Sequence, residues 1–235
     1  MNSLFIVMPA YNEEKNIEKV VKQWYPVLEG KADNSKLVIA DSGSSDRTHE
    51  ILIDMKNSGF SKLEILSETE KQHGPKVIAL YKYAIENGID YVFQTDSDGQ
   101  TNPAEFEVFW NDREKYDGQF GNRTVRGDGQ DRAFVEKVVC LLLRIYFGVK
   151  VPDANAPFRL MSCNTLKKYV DRLPYDFNIP NIMYTTYFVK NNEKVDFKVI
   201  SFKPRQAGEN SINIPKIVKL GWKALGDFAR LKKNL

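Results

Sequence analysis

Cysteine and histidine are scarce in this 235-residue chain, which has two of each: Cys140, Cys163, His49 and His73. So few soft ligands exclude a cysteine-based zinc module. The thiols sit in apolar stretches, and Met1-Asn2-Ser3 leads straight into a strand-like run with no secretory leader. Reduced, buried cysteines in a cytoplasmic protein are therefore expected. No apolar run reaches the ~18 to 20 residues of a membrane span, which excludes an integral membrane protein and leaves attachment to a membrane surface open. A net charge of +3 is too mild to argue for nucleic acid. Internal repeats and low-complexity segments are also lacking. What is present is 42% hydrophobic and 12% aromatic residues, enough to fill the core of one large α/β domain with at most a short appendage.

The first hundred residues alternate strand and helix signals, which predicts a largely parallel sheet with helices on both faces. Strands are expected at Leu4 to Met8, where Pro9 ends the run, and at Leu37 to Ala40, Leu63 to Leu66 and Tyr91 to Gln94. Helices are expected at Glu13 to Glu29, from a cap at Ser45 or Asp46 to Asn57, and at Val77 to Glu86. Beyond these, Pro103 to Tyr116, Phe134 to Phe147, Thr165 to Asp171 and Ile179 to Val189 read as helices. Gln119 to Gly121, Phe158 to Met161 and the alternating Val195 to Phe202 read as strands.

Chemistry concentrates where strands end. Asp96 and Asp98, one residue apart after Tyr91-Val92-Phe93, fall at the carboxyl edge where open α/β sheets bind ligands. Carboxylate oxygens there suit Mg²⁺ or Mn²⁺, which bridge nucleotide phosphates. After the first strand, Tyr11 offers a ring to a base and Glu13 a carboxylate to a ribose hydroxyl. The alternative is a helix start capped by Asn12 with Glu13 and Glu14 in the first turn. Asp41, ending the second strand, can accept from a base N–H. In His73-Gly74-Pro75-Lys76, His73 reads as a loop residue, and Lys76 suits a phosphate or the surface.

Met8-Pro9-Ala10-Tyr11-Asn12-Glu13-Glu14, Asp41-Ser42-Gly43-Ser44-Ser45-Asp46-Arg47-Thr48 and Asp96-Ser97-Asp98-Gly99-Gln100 resemble, in order and spacing, the successive signatures of glycosyltransferase family 2. The likeness covers about residues 4 to 211. It implies a GT-A fold, a Rossmann-like nucleotide-binding sheet with helices on both faces, over residues 1–211. It further implies a donor that is a sugar linked to UDP or GDP. The choice of base stays open because Ser42 stands where many members carry a second acid. By the same resemblance Pro9, Tyr11, Glu13, Asp41, Asp96, Ser97, Asp98 and Gln100 line the donor site. Asp98 ligates the metal, and Asp96 contacts the metal or the ribose.

Arg123, Arg126 and Arg132 lie in a glycine-bearing loop before an apolar helix, and guanidinium groups grip phosphate. A basic loop beside so apolar a helix suits a lipid carrying a phosphate, and it resembles the dolichyl- and polyprenyl-phosphate branch of the family. In Val151-Pro152-Asp153-Ala154-Asn155-Ala156-Pro157-Phe158-Arg159, Asp153 is the candidate catalytic carboxylate, or else a turn cap. Arg159 frames the acceptor side or pairs with Asp153. Arg205, in Arg205-Gln206-Ala207-Gly208-Glu209-Asn210-Ser211, matches a late family segment that closes over the diphosphate. Residues 212–235 form a basic amphipathic helix whose face carries Ile214, Ile217, Val218, Trp222, Leu225 and Phe228. It suits a membrane surface, a core or a dimer.

The expected activity is metal-dependent, inverting transfer of a sugar to a polyprenyl-phosphate-type lipid by a peripheral protein on the cytoplasmic membrane face. The alternatives are transfer to a saccharide hydroxyl, and a sugar nucleotidyltransferase. The acidic Ala10-Tyr11-Asn12-Glu13 turn, where such nucleotidyltransferases carry a glycine-rich basic loop, disfavours the last.

Overall fold

The computed structural model describes residues 1–124, 127, 129–204 and 226–231. Strands form where apolar side chains run continuously, because a strand covered on both faces by helices has no solvent side. These are β1 (Leu4–Ala10), β2 (Lys36–Asp41), β3 (Leu63–Leu66) and β4 (Tyr91–Thr95), joined later by β5 (Gly118–Asn122), β6 (Phe158–Ser162) and β7 (Val195–Val199). They make one seven-stranded sheet in the order β3-β2-β1-β4-β6-β5-β7. β1 pairs parallel with β2 and β4, and β2 with β3, whereas β6 runs antiparallel to both β4 and β5. The carboxyl ends of β1, β2 and β4 therefore open on one edge.

The helices are α1 (Ile17–Trp24), α2 (Thr48–Asn57), α3 (His73–Glu86), α4 (Phe106–Asn111), α5 (Gln130–Phe147), α6 (Cys163–Leu166) and α7 (Pro180–Lys190). Alternation along β1 shows how they share the sheet. Leu4, Ile6 and Met8 enter one core with Trp24, Phe93, Phe106, Phe109 and Phe158. Phe5 and Val7 enter the other with Leu80, Tyr81, Phe120, Tyr184 and Phe188. Phe93 is the hinge of the first core, in edge-on contact with Phe106 and Phe158 at centroid distances of 5.0 and 4.7 Å.

Several boundaries differ from the sequence expectation, those of β1, α1 and α3 for a local reason. β1 continues through Pro9 to Ala10, still in register with Ala40 and Asp41. Pairing with β4 stops at Val7, so the missing Pro9 N–H falls on the side where no ladder bond is needed. α1 starts at Ile17, not Glu13, because Asn12 adopts left-handed backbone (φ 55°) and the chain turns there first. α3 starts four residues before Val77. Pro75 fits a first turn, and a Cβ on Gly74 would lie 2.2 Å from the Phe177 carbonyl oxygen, so only glycine lets these backbones meet. The 103–116 helix is cut to a 3₁₀ turn (Pro103–Glu105) and α4, and β7 ends at Val199. The 165–171 helix is likewise cut, to α6 and a 3₁₀ turn (Val170–Arg172).

Of the C-terminal helix expected over 212–235, residues 226–231 are described and are helical; the rest lies outside the described residues. Phe228 is buried there against Phe147, with centroids 5.5 Å apart. No described helix is long and apolar enough to cross a membrane.

Candidate active site

The loop after β4 is built to hold two carboxylates still. The hydroxyls of Thr95 and Thr101 meet at 2.7 Å and close its base. Gly99 supplies the positive φ of 74° that folds it back, and the Gln100 backbone N–H then donates to Asp98 Oδ1 at 3.1 Å. Ser97 donates to the Pro9 carbonyl at 2.9 Å, locking the loop to the end of β1. Asp96 Oδ1 accepts from Gln94 Nε2 at 3.1 Å and faces His73 Nε2 at 3.3 Å. The bond to Asp96 and the nearby Asp96 and Asp98 carboxylates raise the pKa of His73, whose side chain is 54% exposed. His73 is thus the first residue of α3, not a loop residue, and is turned toward the pair.

No cluster of three His, Cys, Asp or Glu side chains capable of holding a metal is assembled among the described residues. Two carboxylates that leave coordination positions to phosphate and water suit Mg²⁺ or Mn²⁺, which seldom take an all-protein cage. Asp96 Oδ2 accepts no hydrogen bond among the described residues, so an acceptor oxygen remains on the solvent side.

The two earlier signatures clasp one another. Asn12 receives the Ser45 N–H at 2.8 Å, and its own N–H donates to Ser44 Oγ at 3.0 Å. The Glu13 N–H donates to Thr48 Oγ1 at 2.8 Å. Asn12 therefore staples the exits of β1 and β2 together, and does not cap a helix. Asp46 accepts the Thr48 N–H at 3.0 Å and starts α2. Asp41 is buried, positioned by Ser44 Oγ at 2.5 Å and His49 Nδ1 at 3.1 Å. Glu13 is buried too, and its Oε2 accepts from Asn16 Nδ2 at 2.7 Å. Tyr11 is 40% exposed, with Lys71 and Lys76 ammonium groups 5.2 and 5.4 Å from its ring centroid.

Lys76 is the residue that sequence reasoning undervalued. It is not on the surface: it is 1% exposed and donates to the carbonyls of Ala10 at 2.5 Å and Ser42 at 2.9 Å. Burial, only partly offset by Asp41, lowers its pKa to about 8. Its place in the first turn of a helix docked over two strand ends was the available signal.

On the far side of the carboxylate loop, two expectations change. Asp153 is 3% exposed and takes a two-pronged ion pair from Arg123, with Nε to Oδ2 at 2.7 Å and Nη2 to Oδ1 at 2.9 Å. Glu136 lies 3.4 Å from the same guanidinium. Burial works to raise the Asp153 pKa, but the bonds and charge of Arg123 prevail and lower it. Arg123 is thus committed to Asp153. Arg159 does not pair with Asp153. It is fully buried and donates to the carbonyls of Ala154, Ala156 and Asn181, so it braces the interior and is closed to any ligand.

Gln100, expected beside the donor, is 4% exposed and donates to the Lys203 carbonyl at 2.7 Å, tying the carboxylate loop to the segment that leads to Arg205. Arg132 is half-buried in the first turn of α5. Arg126 and Arg205 lie outside the described residues.

The family described as "Glycosyl transferase family 2" matches residues 5–170. A dolichyl-phosphate beta-glucosyltransferase of Trichomonas vaginalis is 25% identical over 68% of this chain and 54% of its own. An undecaprenyl-phosphate mannosyltransferase of Micrococcus luteus is 23% identical over 88% of this chain and 86% of its own. The chain spans 54% of the length of the first two curated relatives it matches. Glucosyl-3-phosphoglycerate synthase of Mycobacterium tuberculosis, solved with Mn²⁺, UDP-glucose and phosphoglyceric acid, superimposes with a TM-score of 0.70. That comparison covers 99% of this chain and 80% of the other at 19% identity, a likeness of fold.

Proposed function

The chain belongs to glycosyl transferase family 2, and from that premise we propose that it moves a sugar from a UDP- or GDP-linked donor to a polyprenyl-phosphate-type lipid. The transfer inverts the anomeric centre in one displacement and depends on Mg²⁺ or Mn²⁺. The observation that carries this reading is the loop holding Asp96 and Asp98 where β4 leaves the sheet, beside the ends of β1 and β2. Asp98, with Asp96, holds the metal, which when bound neutralises charge on the departing diphosphate. Tyr11, Glu13 and Asp41 receive the nucleoside. Lys76 fixes the strand ends that carry them. Arg205, which lies outside the described residues, is assigned to the diphosphate. Arg126 and Arg132 receive the acceptor phosphate.

The pairing of Asp153 favours a lipid phosphate over a sugar hydroxyl. A carboxylate gripped by a guanidinium, with its pKa lowered, is a weak base,. A phosphate oxygen is already ionised near neutral pH and needs no base. A hydroxyl acceptor would require Asp153 to leave Arg123. The protein then works at the cytoplasmic membrane face, where such lipids reside, with residues 1–211 as the transferase unit and 212–235 as a basic appendage.

The test is transfer from UDP- and GDP-sugars to a short-chain polyprenyl phosphate and to saccharides, in parallel. The reading expects glycosyl-lipid phosphate as product, abolished by Asp98→Asn. Product on saccharides alone would move the acceptor assignment to a hydroxyl.

A further inference from the structure

Helix α5 is apolar on both sides. Inward, Leu143 and Phe147 are buried, with Val139, Cys140, Leu142 and Tyr146 packed on the core beside them. Outward, Phe134, Val138, Leu141 and Ile145 are 68%, 38%, 56% and 65% exposed. Their offsets of four, three and four set them in one row on the helix, roughly 16 Å long at 1.5 Å per residue. Single exposed apolar residues are ordinary, but a continuous row marks a surface that meets something.

The charges along this row choose the partner. Lys137 and Arg144 are exposed within it and Lys150 just beyond it, and none of the three forms an ion pair among the described residues. The only acid from Arg132 to Lys150 is Glu136. Its side chain is 12% exposed and turned inward to Arg123 and the Ala154 N–H. Among the described side chains of α5 the face is therefore apolar and basic with no exposed acid, the composition of a helix lying among anionic headgroups,. A second copy pairing through a two-fold axis would bring Lys137 and Arg144 toward their own equivalents, which like-charge repulsion opposes. Of the described C-terminal residues, Phe228 packs on Tyr146 and Phe147, on the inward side of α5.

We propose that this outer face of α5 docks the protein on an anionic bilayer, the helix lying in the headgroup plane. The inference extends the lipid-acceptor reading, since α5 follows directly on the loop that carries Arg123. It is tested separately from that reading.

The full chain is sedimented with vesicles of phosphatidylcholine alone, and with about one-third phosphatidylglycerol. Leu141→Glu with Ile145→Glu is expected to lower partition on both vesicles at least about tenfold. Lys137→Gln with Arg144→Gln is expected to lower it on anionic vesicles only, about 25-fold at roughly fivefold per basic residue. All four positions are exposed, so melting temperature and transfer to a short-chain acceptor in solution should match the parent. Partition unchanged in the glutamate pair overturns the proposal, as does a dimer in the parent that the glutamate pair dissolves. Docking as expected with product on saccharides alone leaves the proposal standing and removes the lipid-phosphate acceptor.

Discussion

Asp153→Asn separates a structural carboxylate from a catalytic one. The substitution keeps the volume but removes the charge that Arg123 grips through contacts of 2.7 and 2.9 Å. Both side chains are at most 5% exposed, so water cannot replace the lost partner. Breaking a buried pair costs about 3–5 kcal/mol. Glu136, at 3.4 Å from Arg123, retains part of the compensation and sets the expectation near the lower end. For a chain of this size that is a fall of about 6–12 °C in melting temperature, at roughly 2–4 °C per kcal/mol.

The pH dependence has a definite sign. A carboxyl whose pKa is lowered on folding contributes stability that is present above its unfolded value, about 3.9. That contribution is lost as pH falls through the folded value,. The gap between parent and variant, read from urea midpoints in a pH series, should therefore be widest near neutrality and close in acid. Transfer to a lipid phosphate, assayed well below both transitions, should keep most of its rate. A variant within about 1 kcal/mol of the parent at pH 7, or a gap that does not close in acid, would refute the reasoning.

Gly74→Ala should destabilise by about 1–3 kcal/mol, because the new methyl meets the Phe177 carbonyl and the Asn178 backbone, which cannot swing aside; chemical denaturation checks this. Lys76→Met should flatten the alkaline limb of the stability curve. With a folded pKa of about 8 against 10.5, the unfolded parent holds the extra proton between those values, so parent stability rises with pH across that window,. The rise is bounded by about 3 kcal/mol, and a parent curve flat from pH 8 to 10.5 would contradict the buried-lysine account. Phe93→Ala should cost about 3–5 kcal/mol by emptying the centre of the aromatic cluster,, read by the same denaturation.

Most of the sheet was legible because its signal is local. β3 at Leu63–Leu66 matches its expectation residue for residue, as a short apolar run between polar turns must be a strand when it is too short for a buried helix,. The acidic loop was legible for the same reason: a strand end and the two aspartates beyond it are adjacent in sequence. What escaped depends on contacts between distant residues. Arg123 and Asp153 are 30 positions apart, and their pairing is set by the loop after β5 meeting the loop before β6. Arg159 sits in a strand whose neighbours gave no hint that carbonyls of 154, 156 and 181 would converge on it. Pro9 reads as a stop when taken alone, and only the one-sided pairing at the top of β1 explains why the strand runs on.

The account turns on whether the loop of Asp96 and Asp98 takes up a divalent ion together with a nucleoside diphosphate. Titration calorimetry of UDP and GDP, with Mn²⁺ and with a chelator, reads this directly in the parent and in Asp98→Asn. The expected result is that Mn²⁺ tightens one nucleotide by on the order of tenfold or more, about 1.4 kcal/mol, and that Asp98→Asn loses this gain while melting like the parent. Equal affinity with and without the metal, in both proteins, would contradict it.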